Sequence, residues 1–316
     1  MLEKAHGFPT YKYSEEAILE DAKKLKTYNK DAKIVFYWNA FLDYPMYKAH
    51  NDYEANPQWW LKTKEGELDL KNGKIKRYDL SNNEVREWWV DVAEENISNQ
   101  DIDGVFFDAL IQVLAPSNKR LWGEEKYTAI KQGLKDLIKE TRERIGKDKL
   151  IVYNGIRSTP TRNTGNNFPE NTDAIMIEHF GHFNSRTKES MLLDILEMEK
   201  AGKSGKIVVF KTWPGFAWVD KNAMAKSAKE KRKIAENNIQ FPLASFLVGA
   251  QEHSYFIYNW GYRLEMGCLE WYPELDKSLG KPLNEMQRNG WELTRKYQHA
   301  DVWVNLETKE AKISWK

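Results

Sequence analysis

The sequence predicts an α/β protein of the (β/α)8 TIM-barrel class with a small C-terminal appendage, and three observations predict it. Short β-branched or aromatic runs alternate with longer segments of helical period, the pattern of parallel strands joined by crossover helices. Eight such runs can be placed within residues 1–260, the size and rhythm of that barrel. No Gly-rich phosphate turn follows the first strand, as a doubly wound open sheet would usually require.

In chain order, "MLEKAHG" is read as the last residues of a first strand whose beginning is missing or cut short. Ser14 is the expected N-cap of a helix to about Tyr28, and "KIVFYWN" (Lys33 to Asn39) is the second strand. "GELDLKNGKIKRYDL" holds Asn72-Gly73, the strongest short hairpin signal, and its second arm is counted as the third strand, ending at Asp79. Ser81 and Glu84 have the spacing of a capping box, opening a helix in "SNNEVREWWVDVAEEN". The fourth strand is "GVFFD" (Gly104 to Asp108), followed by a helix in "EEKYTAIKQGLKDLIKETRERIG" and by the fifth, "KLIVYNG". "AIMIEHF", the helix "SMLLDILEMEKAG", "KIVVFKTW", a long helical region containing Met224, Ile234 and Phe246, and "SYFIYNW" complete the series. Residues 1–260 are thus read as the barrel. Residues 261–316 are expected to supply a helix at "NEMQRNGWELTRKY" and a closing hairpin, "DVWVNLETKEAKISW", packed on it.

Composition narrows the partners. The chain has 316 residues, 41% hydrophobic and 30% charged, enough for one large core or two small ones. With 48 basic against 47 acidic residues the net charge is +1, which leaves no electrostatic footprint for nucleic acid or an anionic membrane. Cys268 is the only cysteine, so an intramolecular disulfide and a cysteine-based zinc site are excluded. No stretch approaches the roughly 20 apolar residues of a membrane helix, and the N-terminus has no signal-peptide core. A periplasmic or secreted protein whose signal is absent from this chain is the expectation, with the cytoplasm still open. Oligomeric state is not legible.

Aromatic content is unusual: 13 Trp, 15 Tyr and 13 Phe. Many lie in polar, Gly- and Pro-containing stretches such as "KTWPGFAW", "NWGY" and "EWYP". Flat rings on loops suit a ligand with an apolar face and a hydroxylated edge, as sugars have, whereas core packing is the plain alternative.

In a barrel of this class the C-terminal ends of the strands face the pocket. Those ends offer Glu3 and Lys4, Trp38 and Asn39, Asp79, Asp108, Tyr153 and Asn154, Glu178 and His179, Lys211, and Tyr258 and Asn259. Burying an unpaired carboxylate costs several kcal/mol, so acids ending apolar runs are either paired or functional. Asp108 and Glu178, ending strands four and six, form the sharpest pair. Two such carboxylates can hydrolyse a glycosidic bond, one attacking or activating water and the other protonating the leaving oxygen. Each has a plainer reading: Asp108 as cap of the next helix, Glu178 as ion-pair partner of Lys211, and Asp79 as a cap.

The stretch "DLSNNEVREWW" followed by "IDGVFFDAL" resembles the strand-three-to-four segment of barrel glycoside hydrolases, among them the retaining α-galactosidases and α-glucosidases. The resemblance implies Asp108 as nucleophile and Glu178 as acid/base, although those enzymes usually carry Asp at the latter position. The pattern, including the closing "YQHADVWVNLETKEAKISW", is also similar to hypothetical glycoside hydrolase families of bacterial polysaccharide degradation. Where other barrel glycosidases place a nucleophile on strand seven, this chain has Lys211.

The expectation is therefore a glycoside hydrolase acting on an oligosaccharide or polysaccharide without cofactor or metal. Trp38, Trp213 and Trp260 would be ring platforms. Asn39, Asn154, Lys211 and Asn259 would bind hydroxyls or an acidic substituent, and Glu3, His179 and Glu252 complete the substrate-binding set. The alternatives are a carbohydrate-binding barrel without catalysis and a metal-dependent hydrolase using Glu178, His179, His182, Glu252 or His253. "AGKSGK" is a helix end and turn, since it precedes a strand.

Overall fold

The computed structural model describes residues 4–155, 158–159, 162–163 and 170–316. The chain forms two compact units, Met1–Gly155 with Thr164–Ala174, and Ile156–Asn163 with Ile175–Lys316.

In the first unit α1 (Ser14–Tyr28) leads into β1 (Val35–Asn39). A short α2 (Ala49–Glu54) and a hairpin of β2 (Leu70–Lys71) and β3 (Ile75–Lys76) follow. Then come α3 (Asn83–Ile97), β4 (Gly104–Asp108), α4 (Leu110–Val113), α5 (Asn118–Trp122), α6 (Glu124–Ile145) and β5 (Leu150–Asn154). β1, β4 and β5 lie side by side in parallel, with Asn39 opposite Asp108 and Phe107 opposite Tyr153.

Sequence and structure part at four local points here. Lys4–Gly7 is a turn instead of a strand end, and Glu3 lies outside the described residues. Ser14 does not cap α1; its hydroxyl donates to the Lys4 carbonyl at 3.0 Å. The cap of α3 is Asn82, which accepts from Glu84 N, because the Ser81 hydroxyl is taken by Asp79 at 2.6 Å. The Asn72-Gly73 turn forms as expected, with φ of 54° and 68°. Its second arm, however, pairs within the hairpin and makes isolated antiparallel bridges from Arg77 to Leu42 and from Tyr78 to Trp60, and it is no strand of the parallel sheet. Lys74, Lys76 and Arg77 explain this, since a central parallel strand is buried on both faces.

Trp89 on α3 anchors the layer over the sheet: its ring lies 4.6 Å from that of Phe107, and its Nε1 donates to the Asn39 carbonyl at 2.9 Å. Gly133, in the interior of α6, lets that helix close on the chain before α3. A Cβ there would sit 1.9 Å from the Leu80 carbonyl oxygen, so no larger residue fits without backbone movement.

A two-stranded ribbon, β6 (Ser158–Thr159) and β7 (Arg162–Asn163), belongs to the second unit. β8 (Ala174–Phe180), all but its first residue in this unit, leads through α7 (Lys188–Lys203) to β9 (Ile207–Thr212). α8 (Lys221–Met224), α9 (Ala228–Asn238) and α10 (Gln240–Gly249) precede β10 (Ser254–Tyr258). β8, β9 and β10 are again adjacent in that order. The capping box that opens α7 pairs Thr187 with Ser190, and "AGKSGK" is the helix end and turn expected of it.

The appendage differs from expectation in one element. The segment read as a helix is a hairpin of β11 (Gln287–Asn289) and β12 (Glu292–Lys296), continued by β13 (Ala300–Asn305) and β14 (Glu310–Trp315) into a four-stranded antiparallel sheet. Gly290, at φ 61°, makes the turn that a helix would not need. Leu293, Val302 and Val304 alternate onto the buried face, which packs against α10. α10 is apolar around its circumference and packs against α7 as well. Among the described residues no helix is long and apolar enough to cross a membrane.

Candidate active site

The pleat of β1 decides what surrounds Asp108. Alternate residues face opposite sides, so Trp38 turns towards α3, where its Nε1 donates to the Trp89 carbonyl at 3.2 Å, while Tyr37 and Asn39 share the other face. The Tyr37 hydroxyl donates to Asp108 Oδ2 at 2.5 Å, and Asn154 Nδ2, from the end of β5, donates to Oδ1 at 3.1 Å. Asn39 Nδ2 in turn donates to the Tyr37 oxygen at 3.0 Å, its own Oδ1 being fixed by the backbone N–H groups of Phe41 and Leu42. Burial, followed by the Asp108 charge, pushes the Tyr37 phenol well up, so it remains a donor. Lys71 stands within the electrostatic reach of Asp108, its ammonium pulled down by burial.

Asp108 is no helix cap. The residue at the cap of α4 is Ala109, with no side-chain cap bond, in the left-handed region at φ 69°. A non-glycine residue costs about 1 kcal/mol or more there. That strain falls on the residue that turns the chain immediately after the carboxylate.

Glu178 stands near the end of β8, its side chain 17% exposed. One carboxylate oxygen accepts from the Tyr262 hydroxyl, and the other lies 3.2 Å from His179 Nε2. Trp213 Nε1 donates to the Glu178 carbonyl at 3.2 Å, which fixes the backbone beneath the acid. Lys211 does not form the expected ion pair with Glu178. Its Nζ donates to Asn259 Oδ1 at 2.7 Å and lies 3.4 Å from the centre of the Trp213 ring. Burial pulls this ammonium down to about 7, with Glu178 and then Cys268 opposing the shift.

The candidates therefore gather as two clusters, Asp108 with Asn39 and Asn154 in the first unit, and Glu178 with His179, Lys211, Trp213 and Asn259 in the second. Three do not belong. Trp38 is 1% exposed, wedged between Trp88, Trp89 and Tyr47, and offers no ring to a sugar. Trp260, 2% exposed, lies so close over Gly267 that a Cβ there would come within 2.6 Å of its ring. Glu252 is exposed in the turn that enters β10, at the opposite strand end from Asn259. Asp79 is not the expected helix cap, since Asn82 caps α3; it accepts from Ser81 N and Oγ and pairs with the Lys126 ammonium.

Sequence reasoning missed Tyr37 and saw Tyr262 only as a loop ring in "NWGY", not as the partner of Glu178. Tyr37 was legible from the alternation in "VFYWN", which sets it on the face of Asn39. Tyr262, far along the chain in "NWGY", carries no local signal. A cleft of about 820 Å3 in the second unit, lined by Phe180, His182, Arg186, Trp213, Asp220 and Asn238, was also hidden. Burial and the neighbouring Arg186 lower the His182 pKa.

Among the described residues, one group could hold a metal: Asp43, His50 and Glu54, with ligand atoms within 4.8 Å of one another. It is already internally satisfied. His50 Nδ1 bonds Asp43 at 2.7 Å, and the Lys76 ammonium, 3.9 Å from the Trp60 ring centre, pairs with Glu54. The group composed of Glu178, His179 and His182 does not meet the same spacing.

No curated protein sequence matches the chain. The crystal structure of a noncanonic maltogenic alpha-amylase, AmyB from Thermotoga neapolitana, is similar at 12% identity and a TM-score of 0.51, covering 92% of this chain and 68% of that one. Ega3 of Aspergillus fumigatus, in complex with galactosamine, is matched at 13% identity and a TM-score of 0.47, over 78% of this chain and 80% of that one. An alpha-amylase from Geobacillus thermoleovorans, complexed with acarbose, gives 15% and 0.43, over 92% and 69%. The first likeness, with the parallel strands and alternating helices, shows the fold: an α/β barrel of the TIM class carrying an antiparallel C-terminal appendage. Residues 26–301 match hypothetical glycosyl hydrolase family 15, and the chain belongs to that family.

Proposed function

We propose that the chain is a retaining glycoside hydrolase in which Asp108 attacks the anomeric carbon and Glu178 protonates the leaving oxygen. The observation that carries this reading is the matched setting of the two acids. Each stands at the C-terminal end of a parallel strand, largely withdrawn from water, and each accepts a hydrogen bond from a tyrosine hydroxyl, Tyr37 on Asp108 and Tyr262 on Glu178. Membership of a glycosyl hydrolase family supports the reaction class.

The roles follow from the neighbours. Asp108 receives hydrogen bonds from an amide and from a phenol that burial keeps protonated, and these donors aim its oxygens. A carboxylate held in this way suits nucleophilic attack, forming a glycosyl ester while the C–O bond to the leaving group breaks. Glu178 gives its proton to the departing oxygen, then takes one from the water that hydrolyses the ester. His179 Nε2, 3.2 Å away, is placed to exchange hydrogen bonds with it between the two steps. Asn154 holds the first acid directly and Asn39 holds it through Tyr37, and Trp213 offers a ring beside the second. The cleft bordered by Trp213, His182 and Arg186 is the sugar-sized volume of the second unit.

Product analysis against a broad glycan library tests this reading. A new reducing end is expected from the wild-type protein and none from Asp108→Asn or Glu178→Gln with an unchanged fold. Binding without product would identify a carbohydrate-binding barrel instead, and full turnover by Asp108→Asn would end the assignment of roles.

A further inference from the structure

Lys211 is 2% exposed, yet the contacts of its ammonium are to uncharged groups. Nζ donates to Asn259 Oδ1 at 2.7 Å, lies 3.4 Å from the centre of the Trp213 ring and 5.3 Å from that of Tyr262. Among the described residues it makes no ion pair. Glu178, the nearby acid, has its oxygens on Tyr262 and His179. An ammonium carries three N–H donors, and Asn259 engages one of them.

Withdrawing a lysine from water without a counter-charge costs several kcal/mol, and a cation–π contact returns only about 2 kcal/mol of that. A methionine would fill the same space at no such cost. The charge, offset only in part and at a distance by Glu178, lies beside that acid, proposed to act at the scissile bond, and is flanked by two aromatic rings of the kind that stack on sugar faces.

We propose that Lys211, oriented by Asn259 and Trp213, binds an anionic substituent of the sugar unit at the Glu178 cluster, so that the substrate is an acidic glycan bearing a carboxylate or a sulfate ester. This inference rests on the glycosidase reading of that cluster. The ligand oxygens would take the two N–H donors that Asn259 leaves, and the Trp213 and Tyr262 rings would border the sugar. Asn259 is then a positioning residue, holding the ammonium towards the sugar.

The test is titration calorimetry of the full chain at pH 6 with three probes: glucuronate, glucose 6-sulfate and glucose. Either anionic sugar is expected to bind about tenfold or more tightly than glucose. Preference for glucuronate identifies a carboxylate, and preference for the sulfate identifies an ester. Lys211→Met should remove the preference, bringing both anionic sugars down to the affinity the variant shows for glucose. Equal binding of all three by the wild-type protein, absence of saturable binding by any, or a preference that survives in Lys211→Met would overturn the inference. The wild-type comparison needs no variant to fold, and Asn259→Ala, which frees the ammonium without removing it, should reduce the preference only in part. Hydrolysis of a neutral glycan with no anion preference would end this inference and leave the glycosidase reading standing. Anion-selective binding with no hydrolysis of any glycan would do the reverse.

Discussion

The two acids sit in similar frames with different chemistry around them. Asp108 in the first unit is gripped by Tyr37 and Asn154, groups that keep their protons across the physiological range. Glu178 in the second unit has His179 on one oxygen, Tyr262 on the other and the Lys211 ammonium close enough to feel its charge. The first setting holds groups that keep their protons, and the second includes a lysine whose ammonium burial pulls down to about 7. On the proposed mechanism, that contrast is what a nucleophile and an acid/base respectively need.

The largest effect that could break this comparison is loss of chemistry. Asp108→Asn should lower kcat by about 10⁴-fold or more with every substrate, because no other group replaces an attacking carboxylate. Glu178→Gln should cost about 10²–10⁴-fold on a natural glycoside but far less on an aryl glycoside, whose leaving group needs no proton. Steady-state kinetics on both substrate types separates the roles, and equal losses for both variants on both substrates would erase the distinction.

Next come the tyrosines. Tyr37→Phe and Tyr262→Phe each remove one hydrogen bond to a carboxylate, worth about 1.5–3 kcal/mol, or some ten- to a hundredfold in kcat. Tyr37→Phe should lower kcat at all pH values alike. Tyr262→Phe should lose more on a natural glycoside than on an aryl glycoside, as Glu178→Gln should, and equal losses for both variants on both substrates would argue against different settings.

A tenfold effect is expected from pH itself. Lys211 titrates at about 7 in the folded chain, so affinity for an anionic sugar should fall as pH rises through about 7, and Lys211→Met should abolish the fall. The groups facing this ammonium are Glu178 from β8, His182 from the turn beyond it, and Tyr262 and Cys268 from the segment after β10. Stability carries the same sign logic. A lysine ordinarily titrates near 10.5, so between about 7 and that value the unfolded chain binds more protons than the folded one, and stability from this group rises with pH. Thermal melts of Lys211→Met should show higher Tm at neutral pH and a flatter pH dependence.

The smallest effect concerns the turn after Asp108. Ala109→Gly should relieve the left-handed conformation at φ 69° and leave stability unchanged or higher by about 1 kcal/mol in urea melts. A loss of more than that would mean that the Ala109 methyl packs more than its backbone strains.

Much of this was legible in the amino-acid order, for identifiable reasons. "GVFFD", "LIVYN" and "AIMIEHF" are short apolar runs that can be little else than buried strands, and their ends place Asp108, Asn154 and Glu178 correctly. The hairpin arm at Lys74 to Asp79 was overread because length alone does not show that its lysines forbid a central strand. Residues 284–297 were misread because Leu293 and Tyr297, four apart, imitate a helical stripe, while the deciding residue is Gly290 at positive φ. Trp38 was misplaced for want of the pleat: it and Asn39 are neighbours in sequence and face opposite ways. What stayed hidden is long-range. Nothing near Glu178 in the chain announces Tyr262, and the isolation of Lys211 from acid partners is a property of packing alone.

The most direct test of Asp108 as nucleophile is to inactivate the protein with a 2-deoxy-2-fluoro glycoside of the sugar found by the glycan screen and to map the adduct by peptide mass spectrometry. The slowed intermediate should place one fluoro-sugar on the peptide containing Asp108, and Asp108→Asn should remain unlabelled. A label on Glu178 or on any other residue would contradict the assignment.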